Sequence, residues 1–514
     1  MNSFMNGLKT ATNIGRTENG ATKRLTTQSD LLDMFAMGGA MRKRSDEDVI
    51  LMFRKAFAEN PVYALKCLFY LRDTRGGQGE RRFFRLAMKD LAKQNPDAAC
   101  RNLKHIPEYG RWDDLYIFVG TPLEANAFAF IREQLTLDVQ SKTPSLLAKW
   151  LKSENTSSAE SRKLANKTRI YLGMSHREYR KTLSILRERI NVLERLMSAG
   201  KWDEIEFDKI PSRAGLIYKN AFARHDLERA KSEKQVQTYE QFAKDETKSV
   251  NAKVLYPYEC VSKALEICPK NSTWYSFGSN SRTLPPMDDT NRLMINKYWA
   301  GLTDYFNGAS FNGIAVIDTS GSMVNSEASA PINVAISLGL YCAERNKGPF
   351  ANHYISFASR PQLIETDGVD FVDKVYRIYK TNLVDNTNIE AVFDLLLDTA
   401  MKNHCSQDEI PQNVIVISDM EFDSARNYDY RCRKDTHTLM ECIAQKWAVS
   451  GYNPPKLIFW NVACRSSNIP MTAKDGVSFV SGFSPSIFQQ IMSGKTAYSL
   501  MLEVLDSKRY SVIS

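Results

Sequence analysis

The chain has 514 residues, of which 43% are hydrophobic and 25% are charged, and its formal net charge at neutral pH is +9. At roughly 150 residues per domain, this length predicts about three domains or two large ones. The globular composition excludes a mostly disordered or collagen-like chain. No apolar run reaches the ~18 residues of a membrane-spanning helix, and the first thirty residues lack the apolar segment of a signal peptide. We therefore expect a soluble protein with no membrane partner.

Residues 1–29 are rich in Thr, Asn and Gly and are predicted to form a flexible arm. From residue 30 to about 268, apolar residues recur at helical spacing with short breaks, and strand-like alternation is nearly absent. Gly38 and Gly39 end the first helix of this region, and Pro61 begins a later one. The pattern predicts an all-α region of packed helix pairs, similar to HEAT repeats.

Residues 269–310 contain many Ser, Asn and Pro residues and predict a linker followed by a connecting helix. Beyond residue 310, apolar runs of strand length alternate with helical segments. The predicted strands are 313–317, 353–357, 414–418, 457–463 and 477–480. Such alternation implies a mostly parallel, doubly wound sheet, so the predicted fold class is α plus α/β with a Rossmann-like domain over residues 311–514.

The nine cysteines show neither C-x-x-C pairs nor zinc-finger spacing. This usage is typical of reduced thiols inside cells. Together with the missing signal segment, it predicts a cytoplasmic protein.

The two parts of the chain differ in charge. Residues 301–514 carry 18 Lys and Arg against 23 Asp and Glu, whereas residues 1–300 carry 50 against 36. The basic part, with a net charge of +14, is therefore the candidate for a polyanionic partner such as nucleic acid. Alternatively, many of these charges lie on solvated helix faces and bind nothing.

Oxygen-bearing side chains are predicted to meet at the carboxyl edge of the sheet. Asp318 follows the strand 313–317, with Ser320 and Ser322 on the next loop; Thr387 precedes a helix, and Asp419 follows the strand 414–418. Doubly wound sheets bind ligands at this edge. Carboxylates and hydroxyls suit Mg²⁺, with Mn²⁺ or Ca²⁺ as alternatives. The same side chains could instead cap a helix and fix a turn.

This pattern of D-x-S-x-S, a later Thr and a later Asp resembles the metal-ion-dependent adhesion site of von Willebrand factor A domains. The resemblance implies an A domain over residues 311–514 whose five positions hold a divalent cation. One departure is that Asp385 and Asn386 stand before the Thr, where many such domains have two glycines. A shell with few carboxylates leaves the cation electrophilic, so we expect a partner protein to present an Asp or Glu to it.

Three segments of the helical region resemble the landmarks of the TROVE module. They are RDTRGGQGER at 72–81, IPEYGRWDDL at 106–115 and AKWL at 148–151. A family of bacterial, phage and plant proteins shares these landmarks, ends in the same A-type domain and also shares SDMEF, found here at 418–422. The resemblance, which extends to Ro-type proteins, implies a ring of helical repeats closed by the A domain that binds small non-coding and misfolded RNAs.

RNA binding requires cations for phosphates and aromatic side chains for unpaired bases. The candidate phosphate contacts are Arg72, Arg75, Arg81, Arg82, Lys149, Lys152, Arg180, Lys181, Arg213 and Arg224. Alternatively, Arg72–Asp73 and Glu80–Arg81 could be local salt bridges that hold adjacent repeats together. The loop 75–79 could form a backbone anion nest. We expect Trp112 and Trp150 to pack between repeats.

No G-x-S-x-G or H-E-x-x-H motif occurs, and the SGKT sequence at 493–496 lacks the first glycine of a P-loop. We therefore expect no enzymatic activity. Two functions stay open. The first is an RNA-binding ring of the Ro type with a metal-dependent partner site, and the second is a non-enzymatic protein-interaction scaffold or assembly factor whose basic charge is incidental.

Overall fold

The computed structural model describes residues 14–16, 22–24, 26–232, 234, 236–268, 289–324, 331–381, 387–420, 439–464, 478–492, 495 and 497–514. The chain forms two compact units. The sheet unit comprises residues 1–45, 54–60 and 249–504, and the helical unit comprises residues 46–53, 61–248 and 505–514. The predicted domain boundaries near residues 29, 268 and 310 follow sequence order and stay predictions.

The α-helices, in chain order, are α1 (Asp30–Met37), α2 (Asp46–Glu59), α3 (Pro61–Arg72), α4 (Arg81–Gln94), α5 (Pro96–Leu103), α6 (Ile106–Tyr109), α7 (Glu124–Gln140), α8 (Leu147–Trp150), α9 (Ala159–Leu172), α10 (His176–Arg189), α11 (Leu193–Ser198), α12 (Ser212–Arg224), α13 (Asp226–Ala230), α14 (Tyr239–Lys244), α15 (Pro257–Ile267), α16 (Asp289–Ala300), α17 (Gly321–Val324), α18 (Pro331–Arg345), α19 (Phe371–Thr381), α20 (Ile389–Lys402), α21 (Leu439–Val449), α22 (Ile487–Ile491) and α23 (Ala497–Leu505). Short 3₁₀ helices span Gly38–Lys43, Trp112–Phe118, Trp202–Glu204, Phe207–Lys209, Gln407–Glu409 and Lys508–Tyr510. The strands are β1 (Ile14–Arg16), β2 (Thr22–Arg24), β3 (Gly313–Asp318), β4 (His353–Phe357), β5 (Leu363–Glu365), β6 (Asn413–Ser418), β7 (Lys456–Asn461) and β8 (Ser478–Ser481).

Capping residues in the sequence explain where several helices of the helical unit begin. The Ser175 hydroxyl accepts a hydrogen bond from the Glu178 backbone N–H at 3.3 Å, and the Glu178 carboxylate accepts one from the Ser175 N–H at 2.7 Å. This capping box starts α10. Asn95 starts α5 by accepting from the Ala98 N–H at 3.2 Å, and Pro96 occupies the first turn, where a missing N–H costs nothing.

Residues 505–514 belong to the helical unit, where they cover a buried carboxylate. Asp73, which is completely buried, accepts hydrogen bonds from Arg509 Nη2 at 2.7 Å and from the Tyr510 hydroxyl at 3.0 Å. The Tyr510 ring stacks on Tyr109, with the ring centroids 5.7 Å apart, and the Tyr109 hydroxyl donates to the Arg509 carbonyl oxygen. This segment therefore supplies part of the interior of the helical unit.

The sheet unit is built on one six-stranded sheet with the spatial order β5-β4-β3-β6-β7-β8. All neighbouring strands pair in parallel except β5, which lies antiparallel to β4 at the edge. From β3 the chain moves outward to β5 and then returns to the other side of β3 at β6. The order of the strands therefore reverses between β3 and β6, which is where doubly wound sheets place their ligand sites.

The sequence of β3 explains its central position. Every residue of Gly313–Asp318 is buried, as expected for a parallel strand covered on both faces. Gly339 of α18 lets that helix approach the sheet closely, because a Cβ there would lie 2.3 Å from Ile317 Cδ1. The predicted fold class, α-helices in the N-terminal region and an α/β sheet in the C-terminal region, is confirmed. The edge strand β5 was not predicted, because three half-exposed residues give too short a pattern.

The segment after α1 packs within the sheet unit. The Gly39 N–H donates to the Ser481 hydroxyl at 3.2 Å, and the Cys464 N–H donates to the Ala40 carbonyl at 3.1 Å. A Cβ on Gly39 would lie 2.8 Å from the Ser481 carbonyl oxygen, so this approach requires glycine. Residues 30–43, which we predicted as the start of the helical region, thus form helices but belong to the sheet unit.

Some predicted features lie outside the described residues. They are most of the linker at 269–288, the Asp385-Asn386 pair and the last two residues of SDMEF, 421 and 422. Within the predicted flexible arm, β1 and β2 pair as antiparallel strands. No helix in the part of the chain that the structure describes is long and apolar enough to cross a membrane.

Candidate functional site

Asp318 is the last residue of β3 and is completely buried. Its Oδ1 accepts a hydrogen bond from the Ser320 backbone N–H at 2.8 Å, and its Oδ2 accepts one from the hydroxyl of Ser418 on β6. The Ser418 hydroxyl in turn accepts from the Met420 N–H at 3.0 Å. The carboxylate is therefore held by both strands that border the reversal of strand order.

The two predicted serine ligands lie together on the loop that follows β3. The hydroxyl oxygens of Ser320 and Ser322 are 3.0 Å apart and hydrogen-bonded. Ser320 is buried, and α17 begins at the next residue. Two hydroxyls and one carboxylate thus converge within five residues, as their spacing predicts.

Asp419 adds a second buried carboxylate. It follows β6 directly, and its negative charge acts on Asp318. Burial first, and the charge of Asp419 second, raise the pKa of Asp318 above its ordinary value of 3.8. The next residue, Met420, has a φ of +67°, a left-handed conformation that is strained for a side chain of this kind and recurs at functional sites.

Thr387 lies at the beginning of α20. It is buried, and the neighbouring Asn388 caps the helix by accepting a hydrogen bond from the Ala391 N–H at 3.1 Å. The hydrogen bonds above bring together three of the predicted ligands, Asp318, Ser320 and Ser322, and the charge of Asp419 acts on Asp318. The participation of Thr387 stays a prediction.

The oxygen donors of this site suit a hard divalent cation. Two carboxylates and two hydroxyls are ligands of the kind that Mg²⁺ and Ca²⁺ prefer, and a cation would relieve the repulsion between the buried carboxylates. Nowhere in the described ranges do three or more His, Cys, Asp or Glu side chains lie where they could share a metal ion. The alternative, a simple turn, accounts for the Ser320 bond but not for a second carboxylate buried beside the first.

Among the predicted phosphate contacts, Arg72 lies in the interior of the helical unit. Only 2% of its side chain is exposed, and its Nε and Nη2 donate to Asp114 Oδ2 at 2.9 and 2.7 Å. Asp114 also accepts from Arg85 Nε at 2.7 Å. This burial argues against a phosphate contact by Arg72.

Arg75 and Arg82 form local ion pairs at the surface of the helical unit. Arg75, with 53% of its side chain exposed, lies 3.5 Å from the Glu108 carboxylate and donates to the Glu108 carbonyl. Arg82 pairs with Asp46. The structure thus shows both residues in salt bridges, and their role as phosphate contacts stays a prediction.

Part of the backbone of the glycine loop is already hydrogen-bonded. The N–H groups of Gln78 and Gly79 donate to the carbonyls of Tyr70 and Asp73 at 3.1 and 2.9 Å, and the Arg75 N–H donates to Asp73 Oδ1 at 2.9 Å. These three donors are therefore committed within the helical unit. An anion nest at 75–79 stays a prediction.

Arg81 and Lys152 both contact the carboxylate of Asp113, the neighbour of Asp114. Arg81 Nη2 lies 2.6 Å from Asp113 Oδ2, Arg111 Nε lies 3.3 Å from Asp113 Oδ1, and Lys152 Nζ lies 3.7 Å from Asp113 Oδ2. We call Arg81, Arg85, Arg111 and Lys152 the cationic cluster. Arg111 is not among the predicted phosphate contacts, although it lies only two residues before Asp113 in the sequence.

Aromatic side chains lie beside this cluster. The Arg111 guanidinium stacks on the Trp150 ring, 4.3 Å from its centroid, and Lys149 Nζ lies 5.9 Å from the same centroid. Trp112 stacks on Phe130 with the ring centroids 5.5 Å apart. Both tryptophans thus make packing contacts within the helical unit.

The remaining candidates lie on later helices of the helical unit. All four are exposed: Arg180, Lys181, Arg213 and Arg224. They belong to α10 and α12, and Arg180 Nε donates to the His176 carbonyl at 3.2 Å. Their role as phosphate contacts stays a prediction.

The fold and these sites define a protein of two units, one helical and basic and one α/β with an oxygen-rich site at the sheet edge. Its sequence matches two family models, each described as a domain of unknown function. DUF7788 matches residues 312–508, and DUF2828 matches residues 17–143 and 134–305. Because the latter matches together cover more than half of the chain, the protein belongs to the DUF2828 family.

Two individual proteins are similar along most of the chain. The uncharacterized protein L728 of Acanthamoeba polyphaga mimivirus is 29% identical over an alignment 536 residues long, gaps included. The alignment covers 96% of this chain and 87% of that protein. The crystal structure of the Deinococcus radiodurans RO (RSR) protein aligns over 93% of this chain and 99% of that chain, with 15% identity and a TM-score of 0.43.

Proposed function

We propose that this protein is a cytoplasmic, non-enzymatic RNA-binding protein of the Ro type. Its basic helical unit holds small non-coding or misfolded RNA, and its sheet unit holds a divalent cation that binds a carboxylate of a partner protein. The TROVE-like landmarks supply the analogy with Ro-type proteins. The observation that carries the proposal is the distribution of charge between the two units.

Nearly all of the net positive charge belongs to the helical unit. Residues 46–53, 61–248 and 505–514 contain 37 Lys and Arg against 29 Asp and Glu, a net charge of +8. The rest of the chain contains 31 against 30, a net charge of +1. A protein scaffold does not need its positive charge concentrated in one unit. A surface that binds a polyanion does need such a concentration of positive charge.

We expect the affinity for single-stranded RNA of mixed sequence to fall steeply with salt. Each neutralised phosphate releases counterions and contributes about −0.7 to the slope of log affinity against log salt. Fluorescence anisotropy over a salt series measures this slope, and single-stranded DNA of the same sequence tests for contacts to the 2′-hydroxyl. A salt-independent interaction, or purified protein free of nucleic acid at low salt, would favour the scaffold function instead.

The second part of the proposal concerns the cation. Asp318, Ser320, Ser322, Thr387 and Asp419 would hold Mg²⁺, or Mn²⁺ or Ca²⁺, at the edge of the sheet. The bound cation would offer an open coordination position to an incoming Asp or Glu. The protein itself contributes two buried carboxylates, of which Asp318 is oriented by the Ser320 N–H and the Ser418 hydroxyl.

We expect Mg²⁺ to stabilise the sheet unit more at about pH 8 than at about pH 5. The pKa of Asp318 is raised in the folded state. At a pH just above the ordinary pKa of 3.8, the folded state therefore binds more protons than the unfolded state. Without metal, stability therefore decreases as the pH rises through this window. A cation replaces the proton, so its stabilising effect, on the order of 1–3 kcal/mol at saturation, grows as Asp318 ionises.

Thermal unfolding with Mg²⁺ or a chelator, over a pH series, measures this effect. The Asp318→Asn variant, which keeps an acceptor for the Ser320 N–H, should lose the response to Mg²⁺. Asp408→Asn changes an exposed carboxylate of the same unit and serves as the control. An Asp318→Asn variant that responds to Mg²⁺ as the wild type does would contradict the metal site.

A further inference from the structure

The Asp113–Asp114 pair is surrounded by more positive charge than it can neutralise. Arg72 and the four members of the cationic cluster each lie within 3.7 Å of one of the two carboxylates. Five formal positive charges thus meet two negative ones. A site with three positive charges in excess is suited to an additional anion.

The excess charge faces solvent. Arg72 is buried, but the side chains of Arg81, Arg85, Arg111 and Lys152 keep 28–39% of their surface exposed. Arg81 uses its Nε and Nη2 for the carboxylates, and Arg85 donates from Nε to the Asp114 carboxylate and from Nη2 to the Asp113 backbone carbonyl. A guanidinium carries five N–H donors in all. The cluster can therefore donate to a ligand without giving up its carboxylates.

The donors are also held in place before any ligand arrives. Arg81 and Arg85 lie one turn apart on α4, Arg111 precedes the 3₁₀ helix Trp112–Phe118, and Lys152 follows α8. Three elements far apart in sequence are thus fixed on one carboxylate pair, and Trp150 fixes the plane of Arg111. Side chains ordered in advance lose little rotamer freedom on binding.

Arg111 has like charges as well as the two carboxylates around it. Burial is the main cause that lowers the pKa of Arg111, to about 10, and the nearby charges of Arg81 and Arg72 lower it further, against the opposing effect of Asp113 and Asp114. An anion bound among these side chains would offset that repulsion.

We propose that Arg81, Arg85, Arg111 and Lys152 bind a phosphate group. Planar guanidinium groups match the geometry of phosphate oxygens and can donate two parallel hydrogen bonds. This inference rests on the proposed function in one respect, because an RNA strand is then the source of the phosphate. A free phosphate ion is the other source of the same chemistry.

The test compares two charge-matched double variants. Arg85→Gln with Arg111→Gln removes two members of the cluster, and Arg101→Gln with Lys104→Gln removes two exposed cations elsewhere in the helical unit. With single-stranded RNA of mixed sequence as the probe, we expect the cluster variant to bind on the order of ten-fold more weakly. Its salt slope should flatten by about 0.7 per lost phosphate contact. The control should change affinity by less than about two-fold.

The outcomes separate this inference from the proposed function. Wild-type protein that binds RNA, with a cluster variant that matches the control, overturns the inference and leaves RNA binding intact. Wild-type protein that binds no RNA overturns the proposed function. In that case the probe is inorganic phosphate. The melting temperature in phosphate is compared with that in chloride at equal ionic strength. A rise in melting temperature for the wild type but not for the cluster variant supports a site for free phosphate, and no rise in either overturns the inference.

Folding of each variant is checked by circular dichroism and melting temperature. If the double variant does not fold, Lys152→Gln replaces it, because Lys152 makes the longest contact of the cluster and its loss disturbs the carboxylates least. We expect Lys152→Gln to weaken RNA binding as well. A folded Lys152→Gln protein with wild-type affinity would overturn the inference.

Discussion

Replacing Arg72 with Ala is expected to lower the free energy of unfolding of the helical unit by about 3–5 kcal/mol, because it breaks a buried ion pair. Gly110 packs directly on this pair, and a Cβ there would lie 2.5 Å from Asp114 Oδ2 and 2.8 Å from Arg72 Nε. Urea unfolding followed by tryptophan fluorescence measures the loss. Arg75→Ala, which breaks an exposed pair, is the control and should cost at most about 1 kcal/mol. Equal losses in the two variants would contradict the buried-pair interpretation.

The same pair predicts a dependence on pH. Burial alone would raise the pKa of Asp114, but Arg72 and Arg85 outweigh it and hold the pKa below its ordinary value of 3.8. A depressed pKa stabilises the folded state above that value, and the stabilisation is lost as the pH falls through the folded-state pKa. The difference in stability between wild type and Arg72→Ala should therefore narrow in acid. A difference that stays constant down to about pH 2 would show that Asp114 does not carry the effect.

Replacing Arg509 with Ala is expected to destabilise the helical unit by about 2–4 kcal/mol, because it leaves the buried Asp73 carboxylate without its cationic partner. The expected loss of stability is smaller than for Arg72→Ala because the Arg509 side chain is partly exposed. Lys508→Ala removes an exposed cation from the preceding position and should change stability by less than about 0.5 kcal/mol. Chemical unfolding of both variants provides the comparison.

Two results would count against this prediction. The first is an Arg509→Ala protein as stable as Lys508→Ala. The second is a loss that Tyr510→Phe reproduces in full, since that change removes only the 3.0 Å hydrogen bond to Asp73 and should cost about 1 kcal/mol.

The site at the sheet edge could be predicted from sequence to a large extent. The spacing of Asp318, Ser320 and Ser322 after a strand places them on one loop, and parallel strands bring Asp419 to the same edge. The hydrogen bond from Ser418 to Asp318 could not be predicted in this way. It depends on β3 and β6 being neighbours, which periodicity along a single strand does not reveal.

The roles of the arginines were much harder to predict. Arg72 and Arg81 lie in the same short segment, yet one is buried and the other belongs to a partly exposed cluster. Their partners are 42 and 32 residues away in sequence. Composition shows that a segment is basic, but only tertiary packing determines which cations reach solvent.

The assignment of residues to units could not be predicted either. Helical periodicity at 30–43 and 505–510 indicates an apolar face that needs covering, but it does not say which surface covers it. The structure places the first segment in the sheet unit and the second in the helical unit. Both placements depend on contacts between residues that are hundreds of positions apart in sequence. Examples are the contacts of Gly39 with Ser481 and of Asp73 with Arg509.

The interleaving of the two units has a consequence for biosynthesis. Chains emerge from the ribosome from the N-terminal end, and contiguous domains commonly fold as they emerge. Here the helical unit lacks the partners of Asp73 until residues 505–514 have been translated, after every residue of the sheet unit. The helical unit therefore completes its interior only after the whole sheet unit has been translated. A nascent chain that stalls before that point leaves the Asp73 carboxylate uncovered and exposes to quality-control proteases a helical unit that is not yet closed.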